Sequence, residues 1–522
     1  MLDLGRTFLQ SVERSPNAIA IVDSSSADVP IRLTYRAWAA RVAAVAEGLT
    51  QLGLGHGDHL LVLLQNRWEM ATLHWACQFV GIIATPLNWR AKADELEYCA
   101  IDSDARAVVF EAASADAVAG SAACACLLRI AVGEQPSMMG GSRTAQRFSA
   151  LLDTPATAIP VPRANANDIS VMLYTSGTTG KPKGVPRRHR AERAGALAHV
   201  AQNQYAVGER TLGVMPLYHT MGVRSLLAMA IIDGTFVAMP RFEAGEAIAT
   251  IERERVTNLY LVPTLYHDVV GHQSFEKSRV ATVRKLGFAG APMHDALLGR
   301  LQEAFAPTLF VNHYGSSEIY TFTITQRAVE KPGGAGRAGF NARVRVVKLD
   351  SVDWRTTPDD HAAAGEEGQV IADLLGDEAF EGYWRRPDAD AKSLRDGWYF
   401  TGDTGYFDAD GDLFVTGRVD DMIISGGENI SPVDIESVLS LHPAVDEVAV
   451  AGLPDERWGQ RVVAFVKAKG VVDAHMLDAH CRASELVNFK RPREYVFVRQ
   501  IPKSPVGKVL RRMLVAGDYE RV

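Results

Sequence analysis

Tyr174 to Gly184 reads Tyr-Thr-Ser-Gly-Thr-Thr-Gly-Lys-Pro-Lys-Gly, a run whose residue types suit it to hold an anion. Its three glycines let the backbone turn sharply and aim successive N–H groups inward, which makes a nest for negative charge. The hydroxyls of Thr175, Ser176, Thr178 and Thr179 add donors, and Lys181 and Lys183 add positive charge. The preceding Ile169-Ser-Val-Met-Leu-Tyr174 reads as a buried strand, so the loop leaves a strand end, where open α/β sheets bind ligands. A flexible surface loop is the plainer alternative for this composition. The order of residues after a strand favours a phosphate cradle. It is not the P-loop, which needs Gly-x4-Gly-Lys-[Ser/Thr] running into a helix. Here Pro182 follows Lys181, removes a donor and disfavours the helical region before it.

Other stretches carry groups that could work with such a cradle. Asn312-His313-Tyr314-Gly315-Ser316-Ser317-Glu318 ends a strand-like run with a carboxylate. Tyr399-Phe400-Thr401-Gly402-Asp403 sets an aspartate after a glycine turn, suited to accept from two hydroxyls at once. Gly417-Arg418-Val419-Asp420 has the look of a junction, and Gly426-Gly427-Glu428-Asn429 follows it. Pro216-Leu217-Tyr218-His219 closes another strand-like run, and Pro502-Lys503-Ser504-Pro505-Val506-Gly507-Lys508 lies near the end of the chain.

In their order these motifs resemble those of the adenylate-forming superfamily: acyl- and aryl-CoA ligases, peptide-synthetase adenylation domains and firefly-type luciferases. The resemblance covers nearly the whole chain and is nearest to CoA ligases of the benzoate and 4-chlorobenzoate type. It implies that Thr175, Ser176, Gly177, Thr178, Thr179 and Lys183 hold the phosphates of ATP. It also implies that Tyr314 lies along the adenine with Gly315, Ser316 and Ser317 around it, and that Glu318 helps hold Mg²⁺ on the triphosphate. The family's usual Tyr-Gly-x-Thr-Glu has a threonine where this chain has Ser317, which keeps the donor and drops a methyl. Asp403 and Arg418 would meet the ribose. Lys508 would stabilise the charge that builds when a carboxylate attacks the α-phosphate. Asp420 would be the hinge of a mobile C-terminal domain. Gly426 and Gly427 would leave room for the pantetheine arm of coenzyme A, with Trp458 nearby.

The reaction implied is a ligation in two steps. A carboxylate and Mg·ATP give acyl-AMP and pyrophosphate, and the CoA thiol then displaces AMP. His219 would orient the carboxylate or gate the site; a core histidine with satisfied hydrogen bonds is the alternative. The candidate acyl pocket is His219, Met221, Tyr260, Ala289, Gly290, His313, Gly315 and Tyr320, a mixture that suits a compact aryl or cyclic acid. His313 and Tyr320 are more polar than a benzoate slot requires. Arg224 either reaches a second substrate charge or lies outside. The other readings are a medium-chain fatty acyl-CoA ligase, a stand-alone adenylation enzyme that loads a carrier protein, and a nucleotide-binding regulator without turnover. His219 with no nearby aspartate argues against an amino-acid substrate.

These groups need a scaffold. Apolar segments alternate between helical and strand periods, which predicts an α/β fold: a large N-terminal domain of packed α/β sheets with a strand-rich subdomain, then a small mobile α+β domain. The boundaries expected are 1–419 and 420–522. Trp38, Val42, Val45 and Leu49 mark one face of a helix, Asp58–Leu64 a buried strand, and Val108-Val109-Phe110 another. Runs at 211–217, 258–262, 285–288 and 309–314 each end in small, polar or aromatic residues, the pattern of strands that line a pocket. Residues 112–123 read as a weakly patterned surface excursion. Ser431, Pro432 and Asp434 predict a capping box at a helix start, and 508–515 a short basic helix.

At 522 residues the chain exceeds one core and must divide. Its net charge of −7 gives no bulk attraction for nucleic acid, so a site for an anion must be made positive locally. No apolar run approaches the ~20 residues that span a bilayer, and none follows a charged start as in a secretory leader. The five cysteines are odd in number and lack metal-ligand spacing, which fits reduced thiols in the cytoplasm. The partners expected are a small carboxylic acid, ATP and CoA. Neither nucleic acid nor membrane is expected, and a homodimer is compatible with the resemblance.

Overall fold

The computed structural model describes residues 2–23, 30–133, 145–155, 161–175, 181–293, 295–349, 356–426, 428–503 and 509–522. Among these residues lie three sheets, of 14, seven and five strands.

The seven-stranded sheet carries the phosphate-loop strand. His59–Leu63 lies at its centre, flanked in parallel by Ile83–Pro86 and Ala105–Glu111. All five residues of His59–Leu63 are buried, as a strand covered on both faces requires. Ile169–Thr175 extends the sheet beside Ile83–Pro86 and turns back antiparallel into Lys183–Arg188. Tyr35–Gln51 forms the expected helix, with Trp38, Val42, Val45 and Leu49 buried along one face. It packs on Trp68–Val80, a helix buried all round. One core runs from here into the next sheet through Val223, Leu226 and Leu227 of the helix Thr220–Ile231.

The largest sheet contains the pocket-lining strands. Ile19–Asp23, Thr235–Ala238, Arg210–Gly213, Asn258–Leu261, Lys285–Phe288 and Leu309–Tyr314 run parallel in that spatial order. Their C-terminal ends therefore lie along one edge, and the segments carrying His219, Ala289-Gly290 and Gly315–Glu318 all leave from it. Past Leu309–Tyr314 the pairing turns antiparallel through Thr323–Thr325 and Gly334–Ala338 into Leu413–Arg418, Trp398–Phe407, Gly368–Asp373 and Val344–Lys348. This is the strand-rich part anticipated from the sequence.

The large sheet's last strand in sequence ends at Arg418, a short turn Val419–Asp421 follows, and the five-stranded sheet begins with Ile423–Ser425. Three expectations need correction here. The helix Pro432–Ser440 starts after Ser431 as expected, but no capping box forms. The Ser431 hydroxyl donates instead to the Thr416 carbonyl, and the Asp434 carboxylate takes Lys490 Nζ at 2.6 Å. The terminal helix is Arg511–Ala516 and starts later than 508. Residues 112–126 are short helical turns rather than a loose excursion, with Val118 and Cys124 buried in a core cluster.

Candidate active site

Thr175 and Lys183 are cross-strand partners at the end of the hairpin, and the Thr175 hydroxyl lies 3.4 Å from the Lys183 carbonyl. Ser176, Gly177, Thr178 and Thr179, which form the loop's nest in the sequence reading, lie outside the described residues. The register nonetheless fixes where the loop departs and where Lys183 returns. Lys183 Nζ sits 3.9 Å from the centre of the Tyr383 ring, whose hydroxyl donates to Glu318 Oε1 at 2.7 Å. A lysine, a tyrosine and a carboxylate from three distant segments thus share one spot. Burial lowers the Lys183 ammonium's pKa, and the opposite charge of Glu318 resists that. Burial, then the nearby Glu318 charge, raises the Tyr383 phenol. Tyr383 was not legible in the sequence, because an aromatic in a Gly-Tyr-Trp turn carries no spacing signal.

Glu318 is held by its own loop. Ser316 Oγ accepts from Glu318 N at 3.2 Å, Ser316 N donates to the Ile319 carbonyl at 2.9 Å, and Ser317 lies half-buried between them. Gly315 lets this turn close, since a Cβ there would lie 2.1 Å from the Tyr320 carbonyl oxygen. Below the turn Arg187, fully buried, donates to the carbonyls of Glu318 at 2.7 Å and Glu378 at 2.6 Å. Its charge is met by Glu192 at 2.9 Å, and Glu192 also accepts from Tyr320 Oη at 3.0 Å.

Asp403 is where separate motifs meet. It lies opposite Arg418 in the hairpin of Trp398–Phe407 and Leu413–Arg418. Arg418 Nη1 pairs with Asp403 Oδ1 at 2.9 Å, and Tyr314 Oη donates to Asp403 Oδ2 at 2.5 Å. Thr401 Oγ1 accepts from Asp403 N at 3.0 Å and donates to the Val370 carbonyl at 2.8 Å, which fixes the turn. Each carboxylate oxygen keeps lone-pair capacity for a further donor. Burial and then the Asp403 charge push the Tyr314 phenol well up, so it stays a donor. Arg418 is among the charges that depress Lys183, so the two clusters sense one another.

At the other end of the site His219 precedes the helix Thr220–Ile231, with its N–H on the Pro216 carbonyl at 2.9 Å and its ring against Tyr218. A fraction of its surface reaches solvent, yet the ring is enclosed enough that desolvation lowers it to about 4, which makes it a neutral imidazole at physiological pH. Met221, two residues on, is buried, and a side chain at Gly290 would touch its sulfur at 4.0 Å. Ala289 is buried beside it in sequence. Arg224, on the same face of the helix, lies inside the protein. It donates to the Tyr260 hydroxyl, to Thr321 Oγ1 at 2.6 Å and to the Tyr320 carbonyl at 3.2 Å. His313 joins Tyr260 edge-on and contacts Asn203 at 3.0 Å. Tyr260, His313 and Tyr320 are therefore one polar cluster with Arg224 at its hub.

In the five-stranded part Gly426 N donates to the Trp458 carbonyl at 2.9 Å, and a Cβ at Gly426 would come within 2.8 Å of the indole. With φ +63° this position suits glycine on both counts. The Trp458 ring is 44% exposed, so it offers a face. Gly427 and Lys508 lie outside the described residues. Lys503 and Val509, which flank the lysine's segment, pair with each other as an antiparallel bridge. Asp420 falls in the turn Val419–Asp421, next to Asp421, which faces Arg511 Nη1 at 3.5 Å.

The same arrangement of segments recurs in known proteins. A 4-chlorobenzoate–CoA ligase of Arthrobacter sp is 33% identical over 507 residues, 97% of this chain and 93% of its own length. A long-chain-fatty-acid–CoA ligase of Mycobacterium tuberculosis is 32% identical over 519 residues, 98% of each. Among solved structures, o-succinylbenzoate CoA synthetase of Bacillus subtilis in complex with an acyl-adenylate intermediate superposes with a TM-score of 0.82 at 26% identity, across 97% of both chains. Residues 8–384 match the family of AMP-binding enzymes and residues 434–508 its C-terminal domain, so the chain that gathers Tyr314, Glu318, Asp403 and Arg418 at one sheet edge belongs to the AMP-binding enzyme family.

Proposed function

We propose that this chain is an ATP-dependent carboxylate–CoA ligase acting on an aryl or cyclic acid. The observation that carries it is the convergence of Tyr314 and Arg418 on the Asp403 carboxylate, beside the Lys183–Tyr383–Glu318 cluster. In this reading the first group receives a ribose diol and the second meets a charged phosphate.

In the first step a carboxylate oxygen of the acid attacks the α-phosphorus of ATP, the bond to pyrophosphate breaks, and acyl-AMP forms. Asp403 and Arg418 hold the ribose, Tyr314 lines the adenine, and Thr175 to Thr179 with Lys183 grip the phosphates. Glu318 fits a role in holding Mg²⁺: Oε1 takes Tyr383, while Oε2 has no hydrogen-bond partner among the described residues. One or two protein carboxylates suffice for Mg²⁺ bound mainly to phosphate, and the ion would offset the triphosphate's charge. His219, neutral, orients the acid by hydrogen bonding without pairing to its charge. In the second step the CoA sulfur attacks the acyl carbon, the carbon–oxygen bond to AMP breaks, and the thiol proton leaves. Residues 420–522 would swing about Asp420 between the steps and bring Lys508 forward for the first and the Gly426–Trp458 surface for the second. A cytoplasmic location fits substrates of this kind.

The test is CoA-dependent AMP formation across aryl, cyclic and straight-chain acids, with no carrier protein added. Aryl acids should lead. Best turnover of medium-chain acids would favour a fatty acyl-CoA ligase, in line with the fatty-acid relative, and AMP release only with a carrier protein would favour a loading enzyme.

Two substitutions probe the assignment. Asp403→Ala should lower kcat/KM for ATP by about 100-fold, the loss of charge-assisted hydrogen bonds to two hydroxyls, with Arg418 left unpaired. ATP titration at saturating acid measures it; a change under about threefold would remove Asp403 from the ribose site. Gly426→Ala drives a methyl into Trp458 at a positive φ. Thioester formation from supplied acyl-AMP should slow by about tenfold while pyrophosphate exchange falls less; the reverse order would separate Gly426 from the second step.

A further inference from the structure

We infer that Arg224 determines specificity: it forms a cationic end wall to the acyl pocket and selects acids whose far end carries an oxygen acceptor, above all a second carboxylate. The inference rests on the ligase reading and narrows it to a substrate class.

Arg224 is 2% exposed, and every acceptor it finds is neutral: a phenol, a threonine hydroxyl and a peptide carbonyl. No carboxylate lies within ion-pair distance among the described residues, and its buried Nε has no partner. A buried guanidinium with neutral partners and a spare donor is expensive to keep. His199 and His313 sit well below their ordinary range, through burial first and the Arg224 charge second, so both rings are neutral. Glu378 is the acidic group coupled to it: burial pushes that carboxyl up and the Arg224 charge opposes this most strongly, but the two form no ion pair, and Glu378 is bonded to Asn341 at 2.9 Å.

Placement turns this cost into selectivity. Met221 and Arg224 stand three residues apart on one helix face, and Met221 faces Gly290 at the strand edge where the acid would enter. Tyr260, His313 and Tyr320, all candidate pocket residues, are tied to Arg224 or packed against its partners. An alkyl tail or bare ring that ends here would leave the buried Nε donor without an acceptor. A carboxylate would meet a planar fork already ordered by its bonds to Tyr260 and Thr321. The same argument disfavours a long alkyl substrate.

The experiment measures CoA-dependent AMP formation by the full-length chain with matched pairs of acids: benzoates and phenylacetates with a meta or para carboxylate or hydroxyl, each against its methyl isostere. The expected result is at least one oxygen-bearing acid preferred by about tenfold or more in kcat/KM. Arg224→Met should cut that ratio about tenfold, and Arg224→Lys, which keeps the charge without the fork, should retain part of it. Methyl isosteres equal or better in the wild type would overturn the inference, as would an unchanged ratio in Arg224→Met. Should the methionine variant fail to fold, the wild-type ranking and Arg224→Lys decide. No turnover with any acid would instead remove the ligase reading, and this inference with it.

Discussion

Lys508→Ala should lose acid-dependent pyrophosphate exchange by about 10²–10³-fold and still convert supplied acyl-AMP and CoA to thioester. The reason is where charge builds. When a carboxylate approaches the α-phosphate, two anions are forced together, and the transition state spreads that charge over the phosphoryl oxygens. An ammonium held there gains attraction as the step proceeds, so it lowers the barrier instead of merely tightening binding. The thioester step has no such need at phosphorus: the CoA sulfur attacks the acyl carbon, no second anion is driven onto the phosphate, and the electron pair of the broken carbon–oxygen bond leaves on AMP. Lys508 belongs to residues 420–522, beyond the proposed hinge, so the chain need bring it near only for the first step. Pyrophosphate exchange and single-turnover thioester formation, run on the same preparation, separate the two. Equal loss in both would end the division of labour between faces of the small domain. A further check is Lys508→Arg. A planar guanidinium keeps the charge but not the compact ammonium's reach, so it should recover only part of the exchange.

How much of this was legible follows from the range of each interaction. The strand that leads into the glycine- and hydroxyl-rich loop was, because a short apolar run ending in such residues has few other conformations open to it. Strands such as Lys285–Phe288 and Leu309–Tyr314 were read with their true bounds, since a short apolar run between turn residues has little freedom to be anything else. The Asp403–Arg418 pair was reached only by resemblance. It depends on hairpin register, and a shift between Thr404 and Gly405 sets which residues face each other. Ser431 shows the opposite failure. Its local pattern was right for a capping box, but the Thr416 carbonyl from the neighbouring strand competes for the hydroxyl and wins. Tyr383 was hidden and Arg224 left open between two readings for one reason: their partners lie about 65 and 36 residues away, at Glu318 and Tyr260, and no periodicity encodes such a distance.

Glu192→Ala should be among the most destabilising single changes in the chain, by about 3–5 kcal/mol, the usual consequence of leaving a buried charge alone. Arg187 and Glu192 are both fully buried and lie 2.9 Å apart. Removing the carboxylate leaves a guanidinium in the core and deprives the Tyr320 hydroxyl of its acceptor. Replacing both partners, as Arg187→Met with Glu192→Leu, should recover much of the loss, because the penalty comes from the orphaned charge and not from the absent attraction. Urea unfolding followed by tryptophan fluorescence gives the comparison as midpoints. A single variant within about 0.5 kcal/mol of wild type would show that water reaches this pair. The double variant carries a second expectation, which ties the core to the chemistry. Arg187 Nη1 also pins the carbonyls of Glu318 and Glu378, so methionine there frees the turn that aims the Glu318 carboxylate. The double variant should thus regain stability while its KM for Mg·ATP stays raised by about tenfold, on the loss of one charge-assisted hydrogen bond to the turn. Recovery of both together would mean that Ser316 alone holds Glu318 in place.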